Sequence, residues 1–426
     1  MKPVPLNHAS PHLHRHASLL CWGLLTLLCF TATGSLHAAP LVFLSPPAAP
    51  SNSMTQITLT NCDDPGFNYI LQVSSDLQNW SSIYTHSPVD PTNILVALAP
   101  ATNDACYYRA LAIPRVPLPM FNLAITTKTN LYLNGKKFLG DSFDSADTNY
   151  SSIGTNAVQY YGTNVVQIYD ATKAKAGCDI AVNGSVAGSV FLGNAYIYGH
   201  LITGFGDEST VVHIGPNGSV GDFSWIASNI GIEGDGTADS WWQPGFYATL
   251  PDVKIPTSIP PWWVFTWSAL PAADSHGNTV LNGGNYSTTS SSVGNLLITG
   301  PTTLWVQGSA SLGVTIAGTN GSLMLYVGKD TGSGDTITLS GNGTMNTPGY
   351  ARNLQIYGLP SLTSIDMHVN ASWIAAIYAP KADVFLGGGG NSTQDAAGAI
   401  VCKSLSLMGH FNFHYDESLK TNGPYR

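Results

Sequence analysis

The sequence predicts an all-β protein: a right-handed parallel β-helix preceded by a small antiparallel β-sandwich. The composition points there first. Only 10% of the 426 residues are Asp, Glu, Lys or Arg, against roughly 25% in an ordinary soluble domain, and 44 glycines with abundant Ser, Thr and Asn take their place. The second observation is a recurrence of short apolar-alternating runs separated by Gly or Asn, among them "NLLITG", "TLWVQGS", "LGVTIAG", "SLMLYVG", "TITLSGNG", "LQIYG" and "ADVFLGG". The third is that nothing of helical period lies between them. Runs of about five residues that point alternate side chains into a narrow core, with Gly or Asn supplying left-handed corners, are what stacked β coils require. A large β-sandwich is the rival architecture for the same pattern.

Residues 1–39 read as an export signal. Lys2 and Arg15 precede the apolar run "LLCWGLLTLLCF" (19–30), and small residues follow in "TATGSLHAAP". As a helix that run would rise only about 18 Å, too little for a hydrocarbon core of roughly 30 Å, so a membrane anchor is not expected. The mature chain is expected to be secreted, extracellular or attached to the cell surface, with no transmembrane segment. A formal net charge of −9, a pI near 5.6 and no run of Lys or Arg argue against a nucleic-acid partner, which clustered positive charge would recognise. After loss of the signal, Cys62, Cys106, Cys178 and Cys402 remain, an even number for an oxidising compartment. Cys62 and Cys106 fall in one small domain and are the expected disulfide. Cys178 and Cys402 lie far apart and are either bonded or buried free thiols.

From Pro40 to Arg115, "MTQITLT", "NYILQVSSD", "NILVALA" and "CYYRALAI" are strand-like runs between Asn, Asp, Pro and Gly turns, which suits a small antiparallel sandwich. The stretches "LQVSSDLQNWSSI" and "DACYYRALAI" resemble fibronectin-type-III-like modules of secreted bacterial proteins, which space other domains and imply no chemistry. Trp80 is then core. The proline-rich "PRVPLP" (114–119) is a stiff linker, and residues 116–426 form the β-helix domain.

Within that domain, "GDSFDSADTNY" (140–150), "LPDVKIP" (250–256), "AAIYAPKADVFLGGGG" (375–390) and "GAIVCKSLSLMGHFNFHYDESL" (398–419) resemble an uncharacterised domain family of exported bacterial proteins. Some of its members are pilus-associated, and they end in a His-Tyr-Asp-Glu-x-Leu signature. The resemblance implies a β-helix-like, bactofilin-like fold and a surface or assembly role, and it supplies no catalytic residues.

If "HFNFHYD" is a strand, Phe411, Phe413 and Tyr415 share one packed face while His410, Asn412, His414 and Asp416 share a wet one. His410 and His414 would be about 13 Å apart, too far to share a metal. His410, His414, Tyr415 and Asp416 are therefore read as a C-terminal cap that stops further strand addition. Asp141, Asp144 and Asp147 offer oxygens to a calcium ion if their loop folds back, with a solvated acidic turn as the other reading. Asp330 and Asp335 in "GKDTGSGDT" form a single loose copy of a glycine-aspartate calcium coil. "DSHG" (274–277) resembles a fragment of the pectin-hydrolysing β-helix enzymes, but the paired aspartates and Arg-x-Lys of that family have no counterpart in this domain. No GxSxG elbow, phosphate loop or HExxH helix is present, and no catalytic residue is assigned.

Residues 233–276 interrupt the coil pattern with prolines and five of the ten tryptophans. Proline this dense excludes regular strands and predicts an extended flap along the flank. Trp241, Trp242, Trp262, Trp263 and Trp267 either pack there or form a shelf for sugar rings, with Glu233, Asp235 and Asp239 as acceptors. Two function classes follow. One is a non-enzymatic surface or adhesion-type scaffold contacting glycans or another cell-envelope partner. The other is a carbohydrate-active enzyme or glycan-binding module working beside the flap.

Overall fold

The computed structural model describes most of residues 120–424 and, before them, chiefly six strands between 43 and 114; residues 1–39, on which the expectation of an export signal rests, and Cys62, Trp80, Cys106 and Trp262 lie outside the described residues. The chain divides into two compact units, Met1–Pro117 and Leu118–Arg426. In the first, Phe43–Leu44, Met54–Thr60 and Ile94–Pro100 form one three-stranded antiparallel sheet, and Ser81–His86, Phe67–Ser74 and Tyr107–Pro114 form another. Tyr69 and Leu71, alternate residues of one strand, are both buried, as a strand with one packed face requires.

The second unit is nearly all β, and most of its strands belong to one 23-stranded sheet whose stacked rungs pair in parallel. The chain enters this ladder in its middle, with Ile125–Leu133 and Leu139–Phe143. It then adds Ile180–Val182, Val190–Gly193 and Tyr196–Tyr198, next Leu201–Thr203, Val212–Ile214 and Ser219–Gly221, and last Gly231–Ile232 and Trp242–Gln243. From that edge the chain passes to the opposite edge and winds back toward the middle. Ser268–Ala269 and Asn278–Leu281 begin the return, and Gly284–Thr288 with Ser292–Ile298, Pro301–Val306 with Ala310–Ile316, Ser322–Val327 with Asp335–Gly341, and Leu354–Gly358 with Leu362–Val369 continue it. Trp373–Gly388 follows. Gln394–Gly409 and Phe411–Asp416 complete the ladder by pairing with the strands at which it began.

The core follows from the register. Leu304, Leu325, Ile356, Ile377, Ile400, Ile125, Ile180 and Leu201 are paired in sequence across the ladder, and all are buried. The column continues unbroken through the junction between the chain's last strands and its first. Trp305, Tyr326, Tyr357 and Tyr378, one residue further along each strand, make the corresponding aromatic column, with Tyr326 and Tyr357 stacked at 4.9 Å. One position inside Gln394–Gly409 is tight: a Cβ on Gly398 (φ +131°) would fall 1.8 Å from the Ala375 carbonyl oxygen, so no other residue fits.

The proline-rich connection runs as a strap against the winding direction. Phe246 donates its N–H to the Thr203 carbonyl at 2.7 Å, Ala248 and the Asn183 side chain exchange two hydrogen bonds, and the Tyr378 hydroxyl donates to the Pro251 carbonyl at 3.0 Å. Asp252 pairs with Lys381 at 2.7 Å. Its own Leu250, Val253 and Ile255 are buried. From one edge of the ladder to the other is about ten rung spacings, ~48 Å, at the usual strand separation, a distance that an extended chain of this length covers.

Candidate functional site

Among the described residues a set of titratable side chains comes together where Phe411–Asp416 docks on Leu139–Phe143, in the register His414 to Asp141 and Asp416 to Phe143. His414 Nδ1 lies 2.6 Å from Asp141 Oδ1, and its Nε2 lies 3.3 Å from Asp395 Oδ1. Its ring is stacked on Tyr169 at 3.5 Å, and the Tyr169 hydroxyl donates to Asp141 Oδ2 at 2.5 Å. Burial opposes charge on His414, but the hydrogen bonds and negative charges of Asp141 and Asp395 outweigh it, so its pKa is raised and the imidazolium is favoured. Asp395 is held below its usual range, first by its hydrogen bond with His414. Burial and Asp141 drive the Tyr169 hydroxyl strongly upward, so it acts only as a donor.

Asp416 is fully buried. It accepts from Ser145 N at 3.1 Å, Ser145 Oγ at 2.8 Å, Ser418 N at 3.2 Å and Ala351 N at 3.4 Å. Burial pushes its pKa up against the pull of these donors. Glu417 pairs with Lys175 and accepts from Ser142 Oγ at 2.7 Å, and the Tyr415 hydroxyl donates to the Phe121 carbonyl at 2.7 Å. Every residue from His414 to Glu417 thus reaches back to the start of the unit, and Met120 N binds the Pro424 carbonyl at 2.9 Å. This is a clasp.

Phe411, Phe413 and Tyr415 pack as the strand period requires. The opposite face is not wet, however: His414 and Asp416 are 1% and 0% exposed, because Asp141, Tyr169 and Ser145 close over them. The expected cap is corrected too. The last strand ends no ladder; it is paired on both sides, by Gln394–Gly409 and by Leu139–Phe143. His410, at the bend before it, contributes its carbonyl to Gln394 N.

The three aspartates weighed for calcium do not converge. Asp141 is held by His414 and Tyr169, while Asp144 and Asp147 accept from the local Ala146 and Asn149 N–H groups. Among the described residues no group of three His, Cys, Asp or Glu side chains is placed to hold a metal ion. Asp335 accepts from Ser361 Oγ, and Asp274 of "DSHG" accepts from the His276 and Asn278 N–H groups in a turn. Cys178 and Cys402 are buried free thiols, both with pKa values raised by burial.

The tryptophans do not form one shelf. Trp241 and Trp242 are half-buried at one edge, Trp241 stacked on His200 at 4.4 Å and Trp242 Nε1 donating to Thr203 Oγ1 at 3.0 Å. Trp267 lies on Trp305, toward the other edge, at 5.7 Å. Trp263 stands in a two-residue strand paired with Ile259. Glu233 Oε2 accepts from Asp222 N at 2.8 Å, and Asp235 and Asp239 are exposed beside it in sequence. Reasoning from sequence missed Tyr169, Asp395, Lys175, Ser142, Ser145 and His200, whose partners are distant in the chain; Ser142, Ser145 and Glu417 lay inside recognised stretches but were assigned no role.

Residues 268–422 match a family model described as Domain of unknown function (DUF7305). Its span begins at the first strand of the return winding and ends just past the clasp; the strands from Ile125 to Gln243 lie outside it. Comparison with curated proteins and with solved structures gives no match. Among the described residues no helix is long and apolar enough to cross a membrane.

Proposed function

We propose that this is a non-enzymatic, secreted or cell-surface structural protein of adhesion type. In this reading the ladder closes into a right-handed parallel β-helix, carried behind a fibronectin-III-like sandwich and exported by the segment 1–39. The parallel register of the rungs and the two small antiparallel sheets support that architecture. One observation supports the functional reading: among the described residues, the buried Asp141, His414 and Asp416 are engaged in joining the last strand to the first. Catalysis needs such groups facing a substrate with a free proton-transfer path, and His414 faces Asp141, Asp395 and Tyr169 instead.

A second reading, glycan contact, is favoured by the outer aromatic pairs Trp241–His200 at 4.4 Å and Tyr198–Phe223 at 4.1 Å, of which Phe223 is 40% exposed. Incubation of the protein with a panel of bacterial and plant polysaccharides tests both. The scaffold reading expects no new reducing ends. Retention lost in Trp241→Ala and Phe223→Ala would place glycan contact at that edge, and product release abolished in a Glu233→Gln, Asp235→Asn, Asp239→Asn variant would replace the scaffold reading with an enzyme.

A further inference from the structure

The first winding ends at an edge of the ladder that carries two stacked pairs of outer rings. Trp241 directly precedes Trp242–Gln243, the strand that pairs with Leu201–Thr203 there, and its indole lies on the His200 imidazole at 4.4 Å with the planes 5° apart. The imidazole covers one face of the indole, so the other is turned away from the preceding rung. Phe223 lies on Tyr198 at 4.1 Å and 25°. Both pairs are held from behind: Asp179 Oδ1 lies 3.0 Å from His200 Nδ1, and Asp222 fixes the turn Phe223–Ile226 by accepting from Trp225 N at 2.8 Å. The rings are thus set in place, with Phe223 40% exposed and Trp241 half-buried.

The charge of the chain is concentrated around these rings. Between Lys175 and Lys254 the sequence holds eight Asp and Glu and no Lys or Arg, whereas from Lys254 to Arg426 seven Lys and Arg stand against eight acids. The connections between the last strands of the first winding carry Asp207, Glu208, Asp222, Glu233, Asp235 and Asp239, of which Asp207, Asp235 and Asp239 are exposed. Glu208 and Asp235 belong to different connections, yet they feel each other: burial, and then the charge of Asp235, push the Glu208 carboxyl above its usual range. Carboxylates brought together in this way repel, and a cation between them relieves the repulsion.

We infer that this edge binds a polymer of amino sugars bearing free ammonium groups, the apolar faces of the sugar rings lying on Trp241 and Phe223 and the ammonium groups against the surrounding carboxylates. The inference rests on the glycan reading above and narrows it to one charge class. Aromatic faces suit the C–H face of a pyranose and attract a cation as well, and the acid-only surroundings repel uronic and phosphorylated polymers, whose charge has the same sign. An amino sugar offers the flat face and the cation on one rigid unit. A lysine-rich peptide offers the cation on a flexible four-carbon stem, which must lose rotamer freedom on binding.

The test is retention of the purified protein on four immobilised polymers: polyglucosamine, its fully N-acetylated form, polygalacturonate and oligolysine. Retention is expected on polyglucosamine, falling with added salt, and not on the other three. Phe223→Ala is expected to weaken it about tenfold, as loss of one aromatic platform does, and Asp235→Asn with Asp239→Asn is expected to weaken it further. The exposed Asp330 and Asp383 lie outside this segment, so Asp330→Asn with Asp383→Asn, which removes the same charge, is expected to leave retention unchanged. Equal loss in that control would mean that net charge alone is read and would overturn the inference. Equal retention on the N-acetylated polymer would keep the glycan reading and overturn the amino-sugar inference, and retention on oligolysine alone would replace it with a basic peptide. Retention on no polysaccharide at all would remove the glycan reading together with the inference.

Discussion

Two junctions of the same ladder are held together differently. Between Pro301–Val306, Ser322–Val327 and Leu354–Gly358, the rungs meet through the aliphatic column Leu304, Leu325 and Ile356 and the aromatic column beside it. Between the last strands and the first, Ile400 and Ile125 continue that column, but a buried polar layer is added: His414 with Asp141, Asp416 with Ser145, and Glu417 with Ser142 and Lys175. Chain connectivity explains the difference. Successive rungs joined by a short corner find their register from the corner itself. The closing rung meets a partner about 270 residues earlier in the chain, and an aliphatic column alone would tolerate a slip of two residues. A slip of Phe411–Asp416 against Leu139–Phe143 leaves buried ions and donors unpaired, a penalty of several kcal/mol, on the order of 3–5 for a broken buried pair. The clasp thus selects register, while the column supplies most of the burial energy.

The sharpest way to break this contrast is Asp416→Ala, which abandons the Ser145 and Ser418 donors inside the protein; we expect a loss of ~3–5 kcal/mol in urea unfolding. In the dry junction Ile356→Val removes one methylene and should lower stability by about 1 kcal/mol. The ion pair Lys175–Glu417 is partly open to water, with Lys175 34% exposed, so Lys175→Met should change stability by less than about 1 kcal/mol, and less again in high salt.

The pH dependence separates the junctions as well. A raised His414 pKa means that its contribution is fully present below its ordinary value of 6.5 and disappears as pH rises through the folded value; the slope is at most about 1.4 kcal/mol per pH unit for one proton. Asp395 works in the opposite sense: its contribution is present above its ordinary 3.8 and is lost as pH falls through the lowered folded value. Unfolding of wild type and His414→Gln across pH 5–9 should therefore converge on the alkaline side, since only the wild type loses the imidazolium.

Much of the ladder was legible in the sequence, because "TLWV", "LMLY" and "LQIY" each alternate with a period of two and each is a strand of it. The order of the rungs was not. Their local patterns are nearly interchangeable, so nothing in them reveals that Phe411–Asp416 neighbours Leu139–Phe143 rather than ending the stack. Asp141 invited a metal reading because its sequence neighbours are acidic, whereas its true partner is His414. Tyr169 carries no sequence signal at all, since only the folded chain lays its ring on the imidazole.

The account rests on Asp416 and Ser145 holding the first and last strands together across 271 residues of chain. A double-mutant cycle of Asp416→Ala and Ser145→Ala in denaturant unfolding tests this most directly. Direct contact predicts a coupling of about 1 kcal/mol or more, and additivity within ~0.5 kcal/mol would show that the two residues do not meet and would contradict the clasp.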